Sequence, residues 1–155
     1  MKIPFILLLL VLLPCSNIFA QGISPSHNLF NKLLLKNVTS DGRVNYKGFT
    51  KDSIEFNQYL KVLSSNPPNE KTWTREEQMA YWINAYNAFT IKLITRYYPM
   101  KSIKEIGSSI QIPFVNTPWD MKFIVIGKEK MDLNNIEHGI LRKKFNDPRI
   151  HMVLV

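Results

Sequence analysis

Residues able to do chemistry fall into two clusters. The first is Trp82-Ile83-Asn84-Ala85-Tyr86-Asn87-Ala88, where Asn84 and Asn87 are three apart and share a helix face, with Glu77 on or near the same stripe. Asparagine is a mediocre helix former, and a buried amide without partners costs roughly 1–3 kcal/mol, so two amides inside a central helix need a reason. Two readings supply one. Either Glu77, Asn84 and Asn87 form the polar floor of a cleft, or the amides bond the backbone of neighbouring loops and pin them to the core.

The second cluster is Ile136-Glu137-His138-Gly139-Ile140-Leu141-Arg142, followed by Asp147-Pro148-Arg149-Ile150-His151. His151 interrupts an apolar run, which is costly unless its ring nitrogens are paired. A histidine held rigidly near a carboxylate and amide donors is what general acid–base chemistry needs. His151 is thus the candidate acid/base, with Glu77, Asn84 and Asn87 orienting it; the opposing reading is a satisfied core histidine. Glu137 and His138 are neighbours on a helix and diverge by about 100°, so both cannot serve one small site head-on. Arg142, four residues after His138, is expected one turn below it. Glu137, His138, Arg142 and Arg149 complete the set as candidate binding residues, His138 alternatively being a helix-surface or capping residue.

Other chemistries lack their residues. After the N-terminal segment the histidines are His27, His138 and His151, with no His-Glu-x-x-His pattern, so neither a metal nor a cofactor is expected. There is no Gly-rich phosphate loop and no Gly-x-Ser-x-Gly elbow. The single cysteine, Cys15, lies in the first twenty residues, which leaves the rest without disulfides, thiolate zinc sites or a cysteine nucleophile.

Those first twenty residues carry Lys2, an apolar run from Ile3 to Leu13, Pro14, and a small residue at Ala20. This is the layout of a secretory signal peptide, and the run is too short for a helix spanning a hydrocarbon core, which needs about 20 residues. A secreted or periplasmic location is expected, with membrane contact only through that segment. About 135 residues remain, enough for one domain. A hydrophobic content of 45% and an aromatic content of 12% allow a real core, and a net charge of +8 favours acidic surfaces or a solvated basic face. The densest basic region is Lys128, Lys130, Arg142, Lys143 and Lys144. Secretion makes nucleic acid an unexpected partner; an unidentified protein or small molecule is the partner class left.

The positioning elements follow from spacing. Ser26 caps a helix bearing Leu29, Phe30, Leu33 and Leu34 that ends near Asn37, and Asp41-Gly42 marks a turn. Val44 to Phe49 reads as an extended link. A second helix follows Thr50 or Asp52, with Ile54, Phe56, Leu60 and Leu63 apolar, and stops before Asn66-Pro67-Pro68. Thr74-Arg75-Glu76-Glu77 is a capping box opening a helix of about 24 residues, apolar all round and therefore central. Ser102-Ile103-Lys104-Glu105 repeats the pattern for a short helix stopped by Gly107. Trp119 to Ile126 reads as a strand, Gly127 to Lys130 as a hairpin turn, and Asp132 as the cap of a helix running to Phe145. Ile150 to Val155 reads as a last strand buried on both faces, and a chain stopping inside such a strand is expected to be incomplete. The fold class is α+β: a helix-rich domain with a long central helix and a small, mainly antiparallel sheet, incomplete at the C-terminus.

Four ordered motifs, Trp82 to Ala88, Tyr98-Pro99-Met100-Lys101-Ser102-Ile103, Ile136 to Arg142 and Asp147 to His151, resemble those of the family catalogued as domain of unknown function 547. The similarity covers 73–155, behind a signal peptide at 1–20 and an N-terminal helical region at 21–72. It implies secreted bacterial proteins and domains attached to other modules, including plant proteins with coiled-coil segments, but no particular activity. In such relatives the strand from His151 continues into a segment with cysteines and a Cys-Pro step, which agrees with the expected truncation. Function is read as an enzyme-like, hydrolase-type cleft using a histidine acid/base; the alternative is a non-catalytic secreted interaction module.

Overall fold

The computed structural model describes residues 23–106 and 117–154. The expected signal peptide, Gly107 and Val155 lie outside the described residues. Among the described residues three helices precede the long one: α1 Asn28–Asn37, α2 Tyr46–Lys51 and α3 Ser53–Ser65. His27, not Ser26, occupies the position before α1, although the Ser26 hydroxyl still accepts from the Asn28 N–H. Residues after Val44 do not form an extended link. Val44 makes one bridge to Val38 across the Asp41-Gly42 turn, where Gly42 has φ +83°, and Asn45 then caps α2 through the Gly48 N–H. The expected second helix is α3, whose Phe56, Leu60 and Leu63 are buried while Ile54 faces solvent.

Helix α4, Arg75–Tyr97, opens on the expected capping box. Glu77 N–H donates to the Thr74 hydroxyl, and Thr74 N–H to the Glu77 carboxylate at 2.7 Å. Tyr81, Trp82, Ala85, Tyr86, Ala88, Phe89, Ile91 and Leu93 are all buried, so the helix is central as its all-round apolarity requires. The buried Tyr81 hydroxyl donates to the Leu63 carbonyl at 2.7 Å, tying α4 to the end of α3.

Beyond α4 the structure departs from the sequence expectation in three places. Ser102 opens only a 3₁₀ turn, Ile103–Glu105. Trp119 lies in a second 3₁₀ turn, Pro118–Asp120, because Pro118 pre-sets the first position and Asp120 accepts from Thr117 N–H at 2.9 Å. The strands β1 Ile124–Ile126 and β2 Glu129–Met131 are therefore short, antiparallel, and paired Ile124 to Met131 around Gly127 at φ +62°.

The third departure is the last segment, which is helix α6, Ile150–Val153, rather than a strand. Asp147 and Pro148 make a turn in which the Asp147 carbonyl accepts Ile150 N–H, and Met152 N–H then bonds Arg149 O at 2.9 Å. Only Ile150 is buried, while Met152 is 86% exposed. A short apolar run does not distinguish strand from helix by periodicity. The sheet among the described residues is accordingly β1 and β2 alone, one small element in a helix-rich α+β fold.

Candidate functional site

Residues 133–144 form one continuous helix whose first turn is fixed by a reciprocal pair, Asn135 N–H to Asp132 Oδ1 at 2.6 Å and Asp132 N–H to Asn135 Oδ1 at 3.2 Å. Its middle, Asn135–Leu141, is π-helical, between α-helical residues 133–134 and the last turn, α5 Arg142–Lys144, which is α. Gly139, a poor helix former, sits inside the widened stretch. In an α-helix a residue meets its neighbour four along; here Arg142 N–H reaches back five residues to the Glu137 carbonyl. The side chains follow, and Arg142 Nη2 donates to Glu137 Oε1 at 2.6 Å. The expected stacking of Arg142 under His138 is thus replaced by stacking under Glu137, and His138 is exposed.

The next motif brings His151 to the same guanidinium. Asp147 accepts from Arg149 N–H and Nε at 3.0 Å and from Nη2 at 2.7 Å, which holds its carboxyl down to about 2. This fork shapes the turn into α6, and on its first turn His151 Nδ1 lies 3.1 Å from Arg142 Nη2. Arg149 is therefore spent on Asp147. A guanidinium can only donate, so Nδ1 accepts and the ring proton sits on Nε2. The final histidine is not a core histidine; it is exposed.

Two residues outside the expected set support this cluster from below. Tyr86, buried on α4, faces Glu137 and Trp119; burial, helped by the Glu137 charge, pushes its phenol up to about 12, while the Trp119 indole and the Arg142 charge oppose that shift. Trp119 reaches this point because its segment is a 3₁₀ turn rather than a strand. An aromatic residue inside an apolar helix carries no spacing signal that marks its hydroxyl as part of a polar cluster.

The polar residues of α4 do not gather around His151. Glu77 is nine residues from Tyr86, which at 100° per residue puts it on the opposite face, and its carboxylate is used by the capping box. Asn84 is also turned well away from Tyr86, and its amide donates to Ala80 O of its own helix at 2.9 Å. Asn87 alone reaches the second cluster: its amide donates to the Val153 carbonyl at 2.8 Å, holding the end of α6 against α4.

The result is an exposed His151 and a half-exposed Arg142, backed by a largely covered Glu137 and a buried Tyr86. Among the described residues no group of three His, Cys, Asp or Glu side chains could hold a metal ion. No helix among them is long and apolar enough to cross a membrane. Fold and site together define a helix-rich α+β domain with a π-helix-built Glu–Arg–His cluster. The chain belongs to the family described as "Protein of unknown function, DUF547", which it matches over residues 70–155, the stretch that contains α4 and every residue of this cluster. No curated protein and no solved structure matches it.

Proposed function

We propose that the Glu137–Arg142–His151 cluster is the reacting centre of a hydrolase-type site in which water attacks the substrate carbonyl and His151 donates a hydrogen bond to the oxyanion that forms. The observation that carries this reading is the 3.1 Å contact from Arg142 to Nδ1, which leaves Nε2–H as the proton directed away from the arginine. A neutral imidazole N–H beside an exposed guanidinium edge is suited to a carbonyl oxygen gaining negative charge; such donors are worth about 10²–10³ in kcat. Arg142 holds the tautomer, Glu137 holds Arg142, and Asn87 holds the helix that carries His151. Glu77 and Asn84 have no part in it.

The test is a panel of small carboxylic esters, thioesters and amides offered to the full chain and to His151→Gln. Turnover should drop about 100-fold with an unchanged thermal melt, because His151 is exposed. Equal turnover by the variant removes His151 from the reaction. A second reading, a non-catalytic interaction module of a secreted protein, is favoured by Met152 and Val153, 86% and 45% exposed beside His151. It predicts no turnover of the panel by the unaltered chain.

A further inference from the structure

We propose that α1 and α2 form a second site, a pocket for a dianionic tetrahedral oxyanion carried as a small phosphate monoester. The pocket, about 260 Å³, is lined by Lys36, Lys47 and Lys51 over a floor of Asn37, Gly48 and Asp52. Its floor is built by tertiary contacts. Asn37, only 4% exposed, donates from Nδ2 to Asp52 Oδ2 at 2.9 Å, and its side-chain oxygen lies so near Gly48 that a Cβ there would approach within 1.9 Å. Asn45 bonds both sides of this seam, donating its N–H to Asn37 O at 2.7 Å and accepting Gly48 N–H at 3.0 Å.

The charges on this floor do not balance. Asp52 is the one carboxylate lining the pocket, and it is engaged by Lys36 Nζ at 2.6 Å and by Asn37, with Lys32 also acting on its charge. Lys47 and Lys51 have no carboxylate partner among the described residues. They are four apart on the six-residue α2, a spacing at which like charges repel and weaken a helix. An anion between them relieves that repulsion. Two uncompensated ammonium groups match the charge of about −1.5 to −2 on a phosphate monoester at neutral pH. Lysine acts on phosphate as a mobile point charge, without the fork geometry that arginine brings to carboxylates. Asp52 is already engaged by Lys36 and Asn37, and a dianion is the ligand that answers both remaining lysines.

The experiment is a titration of the full chain with inorganic phosphate at constant ionic strength, followed by the backbone amide resonances of Asn45, Lys47 and Gly48. Saturable shifts at these amides are expected, with affinity reduced at least tenfold in Lys47→Gln/Lys51→Gln, unchanged in Lys128→Gln on the hairpin, and restored in Lys47→Arg/Lys51→Arg. The arginine pair keeps the charge and so separates lost binding from lost folding. A sugar phosphate should bind more tightly than the matching sugar sulfate, a monoanion, and equal or reversed affinities contradict selection for a dianion. Equal weakening by Lys128→Gln, equal competition by chloride, or no saturable shift with either phosphate overturns the site.

Discussion

Glu137 and Arg142 are five residues apart in sequence and 2.6 Å apart in space, a pairing that α-helical geometry does not make and π-helical geometry does. The pair is half-exposed on the arginine side, so its own contribution to stability is small, about 0–1 kcal/mol. Its consequence lies in orientation. With one edge fixed by the carboxylate, the same Nη2 donates to His151, nine residues further on, and sets which ring nitrogen carries the proton.

The two α4 asparagines should behave differently. Asn87→Ala removes the bond to the Val153 carbonyl and should cost about 1 kcal/mol, with faster amide exchange confined to α6. Asn84→Ala removes only a bond to its own helix and adds a better helix former, so its melt should stay within about 0.5 kcal/mol of the parent. Equal effects in a paired denaturation series would contradict this division of roles.

Much of the frame is legible in the sequence, and the misreadings around His151 have two separate causes. Thr74 to Glu77 states its capping box directly, and the apolar residues of α1, α3 and α4 state their helices. Two features hide. Glu137 to Arg142 carries an ordinary helical pattern, because no residue type marks a π turn, and so the partner of Arg142 is misassigned from Glu137 to His138. The apolar residues 150–155 read as a buried strand, while the turn chemistry of Asp147-Pro148-Arg149 sends Ile150–Val153 into a helix. Both errors move His151, which is why its neighbours come out as α4 amides instead of an arginine.

Gly48→Ala should be destabilising by about 1–3 kcal/mol, since its Cβ meets Asn37 Oδ1 at 1.9 Å and Asn37 is fixed by Asp52. Urea denaturation measures it. A midpoint equal to or above the parent's would show that the Asn37 side chain can swing clear at no cost.

Tyr81→Phe leaves the Leu63 carbonyl without its buried donor and should cost about 1–3 kcal/mol. The same substitution at Tyr97, which is 40% exposed, should be nearly silent in the same melts.

Acid stability should depend on His27. Its Nδ1 is 2.7 Å from the Tyr59 hydroxyl, its Nε2 is buried without a hydrogen-bond partner, and burial lowers its pKa below the ordinary 6.5. Between that lowered value and 6.5 the unfolded chain binds more protons than the folded one, so this contribution is fully present above about 6.5 and is lost as pH falls. The melting temperature should decline from pH 7.5 to pH 5, and His27→Gln should flatten that decline. An identical slope in the variant would place the acid sensitivity elsewhere.

The proton on His151 is the point on which the proposed chemistry turns, and long-range nitrogen–proton NMR of the imidazole reads it directly. The expected spectrum at neutral pH shows a protonated Nε2 and a bare Nδ1, with that preference weakened in Arg142→Gln. A proton on Nδ1 in the unaltered chain would mean that Arg142 does not hold the ring, and the donor role of His151 would fall with it.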